Sequence, residues 1–166
     1  MNIKFDVDGV IRDLYTAVTT AFNFKIDSWN WKYKGKDIYD LAREKPEIVS
    51  EAPATKYLKV INEFTNGHIE LWSHQPPEWR LYTNDWLINH LKSGIDIDIR
   101  YLTPKEKYRA LQKEKDAILV DDYPNFKDYN RIILIDQPYN QKTKANIRIK
   151  TEKELKDALL VFNKRI

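Results

Sequence analysis

Two aspartates one residue apart close an apolar run near the start of the sequence, Ile3-Lys4-Phe5-Asp6-Val7-Asp8-Gly9-Val10. If Ile3 to Val7 form a strand, period-two alternation puts Asp6 and Asp8 on one side, at its carboxyl end. Two like charges so close are costly unless a cation or a shared proton relieves them. The same residues also read as a strand end followed by an Asp-Gly turn, and the pair alone leaves both readings open. Other segments decide between them. Ser73 ends the strand-like run His68-Ile69-Glu70-Leu71-Trp72, and Asp121-Asp122 follow the apolar run Ala117-Ile118-Leu119-Val120. In a parallel sheet such ends open on one edge, where α/β folds bind their ligands. Carboxylates gathered there make a hard, oxygen-only site suited to Mg²⁺. Lys105, near the start of the helix after Thr103, adds positive charge to a terminus that already favours anions. Carboxylates, a divalent ion, a hydroxyl and a lysine together describe a phosphate site.

The elements that must carry these groups alternate between strand and helix. Asp13 caps a predicted helix with apolar positions at Leu14, Ala17, Val18, Ala21 and Phe22. The pattern then dissolves around Trp29, Trp31 and Tyr33, which stand among lysines. A short helix is predicted over Asp37 to Glu44, then an acidic turn near Pro46. Pro53 reads as the first position of a helix with a buried stripe of Tyr57, Leu58, Val60, Ile61 and Phe64, closed by Asn66-Gly67. A strand over 68–73 precedes a helix whose apolar face holds Trp79, Leu81, Tyr82, Trp86, Leu87 and Leu91. Further strands are predicted at Ile97–Leu102, 117–120, Arg131–Asp136 and Asn146–Ile149. Thr103-Pro104-Lys105-Glu106 is a capping box, and Thr151 caps a last helix. The alternation implies a doubly wound, mostly parallel α/β sheet. Residues 14–60 are too long for a simple crossover and read as a small helical cap. The core is then 1–13 and 61–166.

Composition excludes several chemistries. The 166 residues fit one domain, and 28 basic against 25 acidic residues leave a net charge of only +3. That balance is weak support for nucleic-acid binding. Without cysteine there is no thiolate catalysis or cysteine zinc site, and three histidines argue against a His-based metal centre. No signal pattern and no apolar run of about 20 residues is present, so a soluble, cytoplasmic protein without membrane partners is predicted.

The chain resembles the haloacid dehalogenase superfamily of phosphohydrolases. It carries four motifs in order: Asp6-Val7-Asp8-Gly9-Val10, Ser73 after its strand, Lys105 at a helix start, and Val120-Asp121-Asp122-Tyr123-Pro124-Asn125. The double Asp and the compact cap are similar to the 5'(3')-deoxyribonucleotidase group. The resemblance implies a Rossmann-like fold and an aspartyl-phosphate mechanism. Asp6 would attack phosphorus and Asp8 would act as acid and base. Mg²⁺ would be held by Asp6, the Asp8 carbonyl and Asp122, with Asp121 a ligand through water or an orienting group. Ser73 would hold phosphoryl oxygens, and Lys105 would offset charge on Asp6 and the phosphate. Lys107 lies in the same first turn and is the alternative to Lys105.

Substrate identity depends on the cap. Trp29 and Trp31 are candidates to stack a base, against their simpler use as the cap's own core. His74 follows Ser73 and is placed either in a phosphate loop or in a solvent-facing turn. The predicted substrate is a small phosphate ester, a nucleoside monophosphate by resemblance. The alternatives are a nucleic-acid end, another small phosphate ester, or a phosphorylated ligand bound without turnover.

Overall fold

The computed structural model describes residues 2–26 and 28–163. Six parallel strands form one sheet in the order β3-β2-β1-β4-β5-β6. They are β1 (Ile3–Phe5), β2 (His68–Ser73), β3 (Asp96–Tyr101), β4 (Ile118–Asp121), β5 (Ile132–Ile135) and β6 (Ile147–Ile149). Strand β1 is central, with Phe5 level with Leu71 of β2 and Val120 of β4. The chain order reverses between β1 and β4, where open α/β sheets leave a crevice. Four helices cover the faces: α4 (Tyr57–Phe64), α5 (Arg80–His90), α6 (Pro104–Lys113) and α7 (Glu152–Asn163). Ile3, Phe5, Ile69, Leu71 and Ile133 meet α4, α5 and α7 on one face. Trp72, Leu119 and Leu134 meet Leu111 of α6 on the other. The α/β sheet predicted from the alternating pattern is the one observed. Among the described residues no helix is long and apolar enough to cross a membrane.

Between β1 and α4 lie α1 (Leu14–Phe22), α2 (Ile38–Glu44) and α3 (Glu47–Glu51). The Asp13 carboxylate accepts the Thr16 N–H, the predicted cap of α1. Leu14, Val18, Ile38, Leu41, Ala42, Ile48, Val49 and Ala52 form a cluster of their own, joined by Trp79. Four local predictions differ from what is found. The stretch after Pro46 is the short helix α3 rather than a turn. Helix α4 begins at Tyr57 rather than Pro53, because the Pro53 carbonyl is taken by the Asp13 N–H at 2.8 Å. The boundary drawn at residue 60 therefore falls inside α4, whose Tyr57, Leu58, Val60 and Ile61 pack into the sheet core. Leu81 is also misassigned to the buried face of α5, being 71% exposed.

Candidate active site

The short strand β1 delivers Asp6 to the carboxyl edge of the sheet, and β4 delivers Asp121 and Asp122 beside it. Oxygens of these three carboxylates lie within 4.8 Å of one another, and all three side chains are buried. Asp6 and Asp122 line a cavity whose walls include Asp8, Tyr15, Trp29, Tyr39, His74, Trp79, Pro104, Lys107 and Tyr123. Asp121 lies behind them, its Oδ1 accepting the Tyr123 N–H at 2.8 Å and its Oδ2 facing Lys107 Nζ at 2.8 Å. It is fully buried and does not line the cavity.

The lysine of the site is Lys107. Its Nζ lies 2.9 Å from Asp6 Oδ2 and 2.8 Å from Asp121 Oδ2, while Lys105 is exposed. The choice of Lys105 is thus corrected, for a reason of helical geometry. Residues two apart on a helix point about 200° away from each other, so only one can face the sheet. Lys107 shares its face with Leu111, four residues on and buried. Lys107→Gln should therefore remove at least about 10²-fold of any phosphate release, the scale of losing a preorganised electrostatic group. Lys105→Gln should stay within twofold, read in the same assay.

The electrostatics show a site short of positive charge. Burial raises the Asp6 carboxyl from 3.8 to about 7, against the pull of Lys107 and with Asp121 adding to the rise. Burial also drives Asp122 well above its ordinary value, with Asp121 and Asp6 reinforcing it. For Lys107, burial would lower the ammonium, but Asp121 and Asp6 overturn this and hold it above the ordinary lysine range. One lysine cannot offset three buried carboxylates. Oxygen-only donors in this number and crowding fit Mg²⁺, with Asp6 and Asp122 as the residues that would hold it.

Asp8 is placed differently from Asp6. Its carboxylate is outside the three-aspartate cluster because Arg12 grips both oxygens, Nε to Oδ1 at 2.7 Å and Nη2 to Oδ2 at 3.1 Å. Arg12 is fully buried, and its Nη1 donates to the Val49 carbonyl at 3.1 Å and to Thr83 Oγ1 at 3.0 Å. From Thr83 the chain continues: its hydroxyl donates to Gln75 Oε1 at 2.6 Å, and Gln75 Nε2 donates to Ser73 Oγ at 3.0 Å. Ser73, expected to hold phosphoryl oxygens, is fully buried at the end of this relay rather than in the cavity wall. A β-strand terminus alone cannot say whether its last side chain faces solvent or the layer beneath.

The inserted segment supplies the outer wall. Trp29 packs edge-on against Tyr123 at 5.2 Å and near Tyr139 at 5.4 Å, bridging from the insertion to the loops after β4 and β5. Trp31 instead packs on Phe24 at 4.8 Å, within the insertion. His74 does reach the site, its Nδ1 2.9 Å from the Tyr39 hydroxyl. The cavity at the carboxylates leaves only about 40 Å³. A second cavity of about 330 Å³ shares Tyr15, Trp29, Ile38 and Tyr39 with it and adds Trp31, Lys32 and Asp37. Sequence reasoning missed Tyr15, Tyr123 and Tyr139.

No protein-family model matches the sequence, and no curated protein does either. A structural match is found to a haloacid dehalogenase-like family hydrolase, SP0104 from Streptococcus pneumoniae, at 12% identity with a TM-score of 0.53. The match covers 94% of this chain and 96% of that one. The chain thus shares the parallel α/β fold of that protein, with the carboxylates and Lys107 gathered at the switch point of its sheet.

Proposed function

We propose that the protein is a Mg²⁺-dependent phosphomonoesterase that works through an aspartyl-phosphate on Asp6, with nucleoside monophosphates as its substrate class. The observation that carries this reading is Asp6 itself. It stands at the end of the central strand with Lys107 on one oxygen and Asp121 and Asp122 alongside, a nucleophile in a site that calls for a cation. When bound, Mg²⁺ would shield charge on the phosphoryl oxygens and let an anionic substrate approach an anionic nucleophile. Asp6 then forms the new P–O bond as the leaving oxygen departs, and water later cleaves the phosphoenzyme. Lys107 holds Asp6 in line and offsets charge that builds on the phosphoryl group. Asp8 lines the same cavity and serves as acid, then base. To do so it gives up one of its two bonds to Arg12.

The cavity sizes bear on the substrate. A space of about 40 Å³ takes a phosphoryl group but not a nucleoside, which must lie in the neighbouring 330 Å³ space. The shared Tyr15, Trp29, Ile38 and Tyr39 offer flat apolar surfaces to a base, and Lys32 and Asp37 offer polar partners at the far end. A third cavity, of about 290 Å³, lies across Trp29 and is lined by Asn30, Asn125, Gln141 and Lys142. It keeps a nucleic-acid end as the second reading. The test is a phosphate-release screen over nucleoside 5'- and 3'-monophosphates, sugar phosphates and a 3'-phosphorylated oligonucleotide. Preference for a mononucleotide supports the first reading, and preference for the oligonucleotide the second. No release from any of them, nor from an aryl phosphate, removes both.

A pH dependence follows from the same site. The metal-free folded protein keeps a proton on Asp6 up to about pH 7, whereas the unfolded chain releases it near the ordinary value of 3.8. The folded state thus binds more protons between these values, and its stability falls as pH rises through that window. Asp122, raised in the same direction, adds to the fall. Lys107 stays charged throughout, since its contribution is lost only above the ordinary lysine range. In EDTA the melting temperature of the wild type relative to that of Asp6→Asn should drop as pH rises from 4 to about 7, and Mg²⁺ should flatten this slope. A difference in EDTA that is level or rises with pH would contradict the assignment.

A further inference from the structure

Asp122 is the one member of the carboxylate cluster that Lys107 does not reach, and among the described residues it has no cationic partner. Its side chain is nevertheless buried, and one hydrogen bond fixes it: the Tyr139 hydroxyl donates to Asp122 Oδ2. Tyr139 belongs to the single turn of 3-10 helix at Pro138–Asn140 that follows β5. Its chain neighbours hold the surroundings still. Asn140 Nδ2 donates to the Asp122 carbonyl at 2.9 Å and to the Ile135 carbonyl at 2.8 Å, and Gln137 Nε2 donates to the Gly9 carbonyl at 2.9 Å. Gly9 closes the cradle from the other side. A Cβ placed there would stand 1.9 Å from Asp122 Oδ2 and 3.0 Å from the Tyr139 hydroxyl, and the residue's φ of +82° already favours glycine. One oxygen of Asp122 is thus packed between a phenol and a glycine, which leaves the other for a cation. The ring of Tyr139 lies 4.5 Å from that of Tyr15 and 5.4 Å from that of Trp29, both walls of the site cavity.

Resting on the Mg²⁺ reading above, we infer that Tyr139 is a positioning residue for the cation site. It fixes which Asp122 oxygen is free to bind the ion, and its ring seats Tyr15 and Trp29 over the same site. A neutral donor suits this task, because it orients the carboxylate without neutralising the charge the cation needs. A hydrogen bond that orients a metal-binding carboxylate typically accounts for about 10- to 100-fold in metal affinity.

The experiment measures cation binding by the full chain without substrate, using Mn²⁺ followed by electron paramagnetic resonance and Mg²⁺ followed by calorimetry. Tyr139→Phe keeps the ring and removes only the hydroxyl. It should weaken binding of both ions by about 10- to 100-fold while the melting temperature in EDTA stays near that of the wild type. In an Asp122→Asn background the same change should have no further effect on affinity, which a role in general packing would not predict. Wild-type binding with Tyr139→Phe within twofold of it overturns the inference and leaves the phosphatase reading standing. Equal losses with and without Asp122 also overturn it. A wild type that binds neither ion removes the cation site, and the inference with it. Should Tyr139→Phe lower the melting temperature substantially, the comparison within the Asp122→Asn background still decides.

Discussion

Asp6→Asn should abolish phosphate release from every substrate the wild type accepts, by roughly 10⁴-fold or more, the scale on which covalent nucleophiles are lost. Its distinguishing feature is the accompanying stability change. Asp6 is buried beside two other carboxylates, and Lys107 retains Asp121 as a partner at 2.8 Å when Asp6 is made neutral. The variant should therefore melt no lower than the wild type in EDTA at neutral pH, since it has one fewer buried charge to hold. Phosphate release and a thermal melt on the same preparation check both halves. An inactive variant that is also unfolded would say nothing about chemistry. An active, folded one would remove Asp6 as nucleophile.

Arg12→Met should be strongly destabilising. The guanidinium is fully buried and ties together Asp8, the Val49 carbonyl and Thr83, which belong to the first loop, α3 and α5. It also lies over the Trp86 ring at 5.8 Å. Removing one partner of a buried pair costs about 3–5 kcal/mol, because the remaining polar groups lose their partners without regaining water. For a chain of this length that is a fall of roughly 10 °C or more in melting temperature. Arg43, which pairs with Glu78 on the surface at 2.9 Å, supplies the contrast. Arg43→Met should leave the stability nearly unchanged, because water already solvates that pair. Urea titrations of both variants, with unchanged slopes, would measure the difference. Arg12→Lys is the sharper version, since it keeps the charge and loses the two-pronged grip on Asp8.

The parts of this structure that were legible in the sequence share a physical basis. Apolar runs of four to six residues that end in Asp or Ser fixed β1, β2 and β4 in the sheet, and with them the positions of Asp6, Asp121 and Asp122. Side-chain direction within a single turn was harder to read. Lys105 and Lys107 differ only in which side of α6 they face, a question settled by Leu111 further along the helix. Ser73 ends its strand as expected but points into a buried relay with Gln75 and Thr83, partners that come from later in the chain. Tyr139 was beyond reach for a related reason. It sits on a short turn after β5, and its value comes from Asp122 and Gly9, which are 17 and 130 residues away in sequence. Periodicity reports which face is apolar, but not which distant polar group a loop will meet.

The central place of β1 also governs the order in which the molecule can be put together. The strand is only three residues long, and its two neighbours are β2, beginning at His68, and β4, beginning at Ile118. During synthesis the segment that bears Asp6 therefore leaves the ribosome before both of the strands it pairs with. Residues 6–117 must all emerge before its second edge can be paired. Closing contacts so distant in sequence is slow, because the loop entropy is lost before the pairing repays it. The insertion between β1 and β2 has a cluster of its own and is free to fold meanwhile. A nascent chain halted before β4 would carry Asp6 and Asp8 with no Asp121, no Asp122 and no cradle at Gly9. The carboxylate cluster thus assembles only once β4 has joined the sheet.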